Sequence, residues 1–125
     1  MRRLLPLLLI AVTAGLVLAA PASARTSYCS PSGDFCYGLR GDRDPKIVLN
    51  MAARYFPKAR ICVTPPDGAE RTCKTYKVRD LGNVFGVRVR WSAKFPNHGP
   101  GRYKVKFYSA GSSSDGLGPS VAFRR

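Results

Sequence analysis

Acidic residues, histidine and long apolar stretches are scarce in this sequence. Its 125 residues include 7 Asp and Glu against 21 Lys and Arg, with a single His and a single Trp. The length points to one domain and excludes a large multidomain enzyme. The sequence contains no Gly-x-Ser-x-Gly elbow, no phosphate-binding glycine loop, no His-Glu-x-x-His motif and no paired-carboxylate signature. We therefore predict a protein that is not an enzyme and that uses no cofactor, with a secreted hydrolase as the alternative.

Few side chains in this sequence are suited to bind a metal. His98 is the only histidine, so a zinc site would need two further ligands from elsewhere, and no nucleophile is recognisable beside it. Asp42 and Asp44 form an Asp-x-Asp pair, with Asp34 upstream, and exported sandwiches sometimes bind calcium through such oxygen ligands. A role in stabilising the turn explains the pair equally well. We predict no metal site.

The one long apolar run lies at the N-terminus. Two arginines precede the apolar residues 4–20, and the small residues 22–24 follow them. This three-part pattern is typical of a secretory signal peptide. The run is short for a membrane span, which needs about 20 apolar residues. We predict that residues 1–24 are a signal peptide and that residues 25–125 form the single domain of a secreted, extracellular protein, with an uncleaved anchor as the alternative.

Four cysteines follow the predicted leader. An even number in a small exported chain indicates two disulfides. The turn residues 65–68 lie midway between Cys62 and Cys73, so a hairpin centred on them places the two cysteines directly opposite each other. We predict the pair Cys62–Cys73 and, from the remaining two, Cys29–Cys36, while the other two connectivities stay open.

The same hairpin register predicts which side chains share a face. The Cys62–Cys73 pair falls on the solvent side with the basic residues of the hairpin. Lys74 is the residue that fits badly, because it falls on the apolar face opposite Ile61. A bulge, a position at the rim or a stem that extends toward water would accommodate it.

Alternation of apolar and polar residues, rather than helical periodicity, dominates the predicted domain. The alternating segments are residues 35–37, 46–51, 60–64, 75–79, 87–91, 102–107 and 121–123. Gly, Pro and Asp mark turns between them, and no helix of ten or more residues is evident. About seven half-buried strands predict an all-β fold, a two-sheet antiparallel sandwich.

The segment Gly101-Arg102-Tyr103-Lys104-Val105 resembles the start of the sixth strand of immunoglobulin-type domains. The resemblance implies an immunoglobulin-like sandwich in which Tyr103 hydrogen-bonds back to the main chain and Trp91 is a core aromatic. Val105 stands where that family has its inter-sheet cysteine. The whole chain is also similar to small secreted actinobacterial proteins of uncharacterised role, in its leader, its two short-range cysteine pairs and its closing residues 118–123. Neither resemblance implies a function.

Outward basic side chains are the main functional signal. The predicted binding residues are Arg60, Arg71, Lys77, Arg79, Arg88, Arg90, Arg102, Lys104 and Lys106. If their strands share a sheet, they form a cationic field that binds a polyanion such as a cell-wall polymer, an acidic polysaccharide or a nucleic acid, and that weakens with salt. Tyr28 and Tyr108 are candidates for stacking on sugars or bases, unless they pack within the fold. The alternative for the basic residues is that outward positions must be polar and that cations suppress edge pairing.

A second hypothesis is a module that binds a protein partner, such as a protease inhibitor. Its contact would come from an exposed loop, either residues 95–101 or residues 110–119. Inhibition assays against secreted proteases distinguish this hypothesis from polyanion binding.

Overall fold

The structure, a computed structural model, describes residues 25–111 and 116–125. The predicted signal peptide lies outside these residues. Within them the chain forms two antiparallel sheets of five and four strands, one helix of 4 residues and two disulfides. The predicted two-sheet antiparallel sandwich is therefore confirmed.

The described part of the chain contains nine strands and one short helix. In chain order they are β1 (Ser27–Cys29), β2 (Phe35–Arg40), β3 (Lys46–Met51), β4 (Lys58–Thr64), β5 (Thr72–Lys77), β6 (Arg79–Asp80), β7 (Phe85–Arg90), α1 (Trp91–Lys94), β8 (Arg102–Ser109) and β9 (Val121–Arg124). The first sheet has the order β1-β2-β3-β7-β6 and the second has the order β5-β4-β8-β9.

The core lies between the two sheets, and every second residue of the central strands points into it. The fully or almost fully buried members are Ile47, Leu49 and Met51 of β3 and Tyr103, Val105 and Phe107 of β8. Burying a large apolar side chain contributes about 1.5–3 kcal/mol to folding. The register of each strand is thereby fixed, because a slip by one residue would turn these side chains outward. The intervening residues of the same strands form the two outer faces of the sandwich.

Both predicted disulfides are present. Cys62 lies opposite Cys73 in the β4–β5 pair, and Cys29 lies opposite Cys36 in the β1–β2 pair. The Cα–Cα distance is 4.0 Å in each, and the S–S bonds link Cys29 to Cys36 and Cys62 to Cys73. Each bond therefore ties an edge strand to its neighbour.

Lys74 lies opposite Ile61, as the hairpin register predicts, and the pairing of β4 with β5 continues past it residue by residue. Its side chain is exposed because β5 is the edge strand of its sheet. The ammonium nitrogen lies 5.9 Å from the centre of the Phe95 ring. The rim position, and not a bulge, accommodates this lysine.

The alternation predicts one strand over residues 75–79, but the structure divides this segment between two strands. It divides at Val78, where the chain leaves β5 of the second sheet and enters β6 of the first. Val78 is 2% exposed, and its amide donates to the Pro57 carbonyl at 2.9 Å. The side-chain alternation continues through this crossing, so the pattern alone gives no sign of the change of sheet.

The immunoglobulin resemblance implies a hydrogen bond from Tyr103 to the main chain and a buried Trp91, and both are present. The Tyr103 hydroxyl donates to the Gly99 carbonyl at 2.7 Å, four residues upstream, and accepts from the His98 amide at 2.9 Å. Trp91 is fully buried and is the first residue of α1, directly after β7. These contacts hold the loop before β8 against the end of the sandwich.

Asp44 joins the loop between β2 and β3 to α1. Its carboxylate accepts from the Ser92 hydroxyl at 2.8 Å and from the Ser92 amide at 3.0 Å, and it lies 3.6 Å from Nη1 of Arg90. The hydroxyl of Ser92, followed by its amide and the charge of Arg90, lowers the pKa of Asp44 below its ordinary value of 3.8. The ionised carboxylate therefore stabilises the folded chain.

We expect Asp44→Ala to lower stability at neutral pH by about 1 kcal/mol, as for the loss of a helix cap, which is about 5 °C in melting temperature. Because the folded-state pKa is lowered, this contribution is present above the ordinary pKa and is lost as pH falls through the folded value. Thermal unfolding of both proteins at neutral pH and at about pH 2.5 measures it. An equal difference at the two pH values would contradict the assignment.

Candidate functional site

The nine predicted binding residues divide between the two outer faces of the sandwich. Five of them lie on the outer side of the second sheet, and Arg71, at the entry to β5, reaches the same side; these six are Arg60, Arg71, Lys77, Arg102, Lys104 and Lys106. The other three lie on the outer side of the first sheet; they are Arg79, Arg88 and Arg90. The predicted residues therefore do not share one sheet and do not form one field.

Arg79 is the residue whose placement differs from the prediction. The alternating segment 75–79 predicts that Arg79 continues the strand that carries Lys77, but it lies on β6 and pairs with Gly86 of β7 in the first sheet. The crossing at Val78 is the cause, because it moves the chain to the other sheet one residue earlier.

We call the outer side of the second sheet the β8 face. In addition to the six predicted residues it carries Lys58, which lies opposite Lys77, and Arg124, which lies opposite Arg102. Sequence reasoning missed both because they occupy the ends of strands, just beyond the segments where alternation is clear. The eight cations of the β8 face are Lys58, Arg60, Arg71, Lys77, Arg102, Lys104, Lys106 and Arg124.

Among the described residues, no acidic side chain pairs with a cation of the β8 face. Within residues 25–111 and 116–125, the one Lys or Arg ion pair is Arg90 with Asp44. Nδ1 of His98 also lies 3.0 Å from Oδ2 of Asp67, and neither contact involves a cation of this face. Like charges directly opposite each other on neighbouring strands destabilise a sheet. A bound anion would relieve this repulsion.

Tyr108 organises three of the cations on the β8 face. Although it points outward from β8, opposite Arg60, it is only 4% exposed. The guanidinium carbon of Arg60 lies 4.7 Å from the centre of the Tyr108 ring. The guanidinium carbon of Arg71 lies 5.8 Å from it, and the ammonium nitrogen of Lys106 lies 5.7 Å from it. Arg71 also donates from Nη1 to the Tyr108 hydroxyl at 2.9 Å.

This arrangement changes the interpretation of the two candidate stacking residues. Cations cover the ring of Tyr108, so this side chain acts by holding them. Tyr28 is half-buried, with its ring centre 5.3 Å from that of Tyr37 and 5.6 Å from the guanidinium of Arg25.

The Nε atom of Arg60 is buried without a hydrogen-bond partner among the described residues, so the orientation of this guanidinium is set by packing. Fixing the cations before an anion binds reduces the entropy lost on binding.

We call the outer side of the first sheet the β7 face. Arg40, Lys46 and Arg90 lie side by side across β2, β3 and β7, and Arg88 is two residues along from Arg90. Arg90 pairs with Asp44, whereas the other three are exposed and have no ion pair among the described residues. The β7 face is therefore cationic, but less so than the β8 face.

His98, the candidate metal ligand, lies in the loop 95–101, which is also a candidate contact for a protein partner. Nδ1 of His98 lies 3.0 Å from Oδ2 of Asp67, and the Ala69 amide, followed by His98, lowers the pKa of Asp67. In the described part of the chain, no group of three or more His, Cys, Asp and Glu side chains is placed to hold a metal ion. In the loop 95–101, the contacts of Tyr103 fix residues 98 and 99, and the loop 110–119 lies partly outside the described residues.

Comparisons with known proteins give no further assignment. No protein-family model, no curated protein and no solved structure matches this chain. No described helix is long and apolar enough to cross a membrane. The arrangement of charges is therefore the main indication of function.

Proposed function

We propose that this protein binds extended polyanions through its β8 face, outside the cell or at the cell envelope. The observation that carries the proposal is the set of eight cations on one face of one sheet, with no carboxylate paired to any of them in the described part of the chain.

Protection of sheet edges does not explain these cations. Basic residues on edge strands prevent unwanted pairing with other chains. However, Arg60, Lys104 and Lys106 lie on β4 and β8, which are the two central strands of the second sheet. A central strand has no open edge, and a neutral polar residue would satisfy an outward position equally well. The choice of cations at these positions therefore favours a functional role.

The dimensions of the β8 face suit a polymer better than a single small anion. Alternate residues of a strand lie about 6.8 Å apart and neighbouring strands about 4.8 Å apart. From Arg102 to Lys106 along β8, and across to Arg60 on β4, the charges are therefore spread over several residue spacings and are not gathered at one point. Each cation that contacts a polymer charge releases a condensed counterion, which is the main source of affinity for nucleic acids and similar polymers.

Two disulfides support a location outside the cytosol, because such bonds persist in oxidising compartments. The predicted leader agrees with this location. The candidate polymers there are a cell-wall polymer, an acidic polysaccharide and released nucleic acid.

Retention on teichoic acid, heparin and DNA resins across a salt series tests the proposal and separates the three polymers. We expect retention at about 0.1 M salt, where the Debye length is about 10 Å, and elution as salt screens the face. Passage through all three resins at that salt concentration would refute the proposal.

Substitutions at Tyr108 test whether it positions the cations without altering the net charge. Tyr108→Phe removes the hydroxyl that accepts from Arg71, and Tyr108→Leu also removes the aromatic face that Arg60 and Lys106 contact. We expect the Leu variant to bind heparin about threefold more weakly than the Phe variant, because a cation–π contact contributes about 0.5–1 kcal/mol at an exposed site.

Isothermal titration of both Tyr108 variants at equal salt measures this difference, and their melting temperatures show whether the fold is retained. Equal affinities of two folded variants would show that Tyr108 does not act by positioning the cations.

A further inference from the structure

The β7 face contains charges that neither the fold nor the proposed β8 site explains. Lys46 lies directly opposite Arg40 on one side and Arg90 on the other, so three cations meet across three neighbouring strands. Such contacts between like charges cost stability. Both β3 and β7 are interior strands of the first sheet, so edge protection does not explain Lys46 or Arg88.

The two cationic faces lie on opposite sides of the sandwich. Both sheets turn their apolar side chains toward the shared core, which contains residues of β3, β7, β4 and β8. Packed sheets lie about 10 Å apart, and outward basic side chains extend the distance between the two layers of charge to roughly 20 Å. This is more than twice the Debye length of about 8 Å at physiological ionic strength. An anion on one face therefore leaves the field of the other face almost unchanged.

We propose that a single copy of this protein bridges two polyanion chains, one on the β8 face and one on the β7 face. This inference rests on the proposed function of the β8 face and adds a second binding surface of the same chemistry. Bridging by one copy needs no dimer, because the strand topology already places both surfaces on one domain. Its consequence is crosslinking of the polymer, beyond simple binding.

A capture assay in two steps tests bridging separately from binding. The protein is loaded sparsely onto a heparin-coated sensor, free protein is washed away, and fluorescent heparin is then offered. The variant Arg40→Gln/Lys46→Gln/Arg88→Gln removes three of the five cations of the β7 face and leaves Arg79 on β6 and Arg90, which pairs with Asp44. The control Arg43→Gln/Arg54→Gln/Lys94→Gln removes the same charge from exposed residues of two loops and α1.

We expect the wild-type protein and the control to capture fluorescent heparin. The β7-face variant should remain on the sensor. It should capture at least about tenfold less fluorescent heparin than the wild type, because it loses up to three contacts that release counterions. Retention on the sensor shows that the variant still binds heparin, and its melting temperature shows whether the fold is retained.

Each other outcome is decisive. Equal capture by the β7-face variant and the wild type would overturn the inference, and would point to bridging by a dimer. Equal loss in the control and the β7-face variant would also overturn it, because net charge and not the face would then decide capture. A wild-type protein that binds the sensor but captures nothing refutes bridging while the proposed function stands, whereas failure to bind the sensor refutes both.

Discussion

Trp91→Ala is expected to lower the melting temperature by about 12 °C or more, which corresponds to about 3–5 kcal/mol for loss of a buried tryptophan in a domain of this size. Trp91 is fully buried, and its ring centre lies 4.9 Å from that of Tyr103 and 5.2 Å from that of Phe123. The guanidinium of Arg125 covers it at 5.6 Å. Removal of the indole leaves a cavity that these rings cannot fill without moving β8 and β9.

Trp91→Phe is the matched control for this prediction. The Nε1 atom of Trp91 is buried without a hydrogen-bond partner in the described structure. Phenylalanine retains an aromatic ring and removes this N–H group, whose burial without a partner costs about 1–3 kcal/mol. We therefore expect the Phe variant to lose much less stability than the Ala variant. Thermal unfolding measures both, and a fall of only a few degrees for Trp91→Ala would show that Trp91 is not a main element of the core.

Neutralising β8 by Arg102→Gln/Lys104→Gln/Lys106→Gln is expected to weaken binding to duplex DNA by about 10²–10³-fold at about 0.1 M salt. The estimate assumes that each residue contacts one phosphate, since each such contact contributes a slope of about 0.9 to the dependence of log K on log salt. The magnitude of this slope should therefore fall by about 2.7 in the variant. The melting temperature should change little, because all three side chains point away from the core and Arg102 lies opposite Arg124.

The variant Arg43→Gln/Arg54→Gln/Lys94→Gln controls for net charge in this experiment as well. It removes three positive charges, none of which lies on a strand of either sheet. Fluorescence anisotropy of labelled DNA across a salt series measures affinity and slope for both variants. If the control loses as much affinity and slope as the β8 variant, then the overall charge of the protein is responsible for binding and the β8 face is not a site.

The sequence predicts much of this fold because alternation and turn residues carry local information. The strand over 46–51, the strand that contains residues 121–123, the pairing of Cys62 with Cys73 and the outward position of the predicted basic residues all follow from which residues are apolar and where turns occur. Lys74 opposite Ile61 follows from the same register. In each of these, the deciding interaction lies within one strand or one hairpin.

The assignment of strands to sheets does not follow from the sequence in the same way. Alternation says that Arg88 and Lys104 point outward, but it does not say which strand lies beside which. The crossing at Val78 separates Lys77 from Arg79 although they are two residues apart. The division of the nine predicted cations into two faces is therefore visible only in the structure, and so is the cover of three cations over Tyr108.

The two faces also predict an order of binding. The β8 face carries eight cations without an acidic partner in the described residues, whereas Asp44 pairs with Arg90 on the β7 face. Electrostatic affinity rises with the number of contacts to the polymer. The β8 face should therefore fill first and the β7 face at higher polymer concentration. A protein that bound through net charge alone would show no such order.

A titration of backbone amide chemical shifts by NMR with a short heparin oligosaccharide tests the β8 site most directly. At low ratios of oligosaccharide to protein, we expect the largest shift changes in β4 and β8 and around Arg71 and Lys77, with those in β3 and β7 appearing later. Changes confined to the loop 95–101 or to the first sheet, or no changes at all, would contradict it.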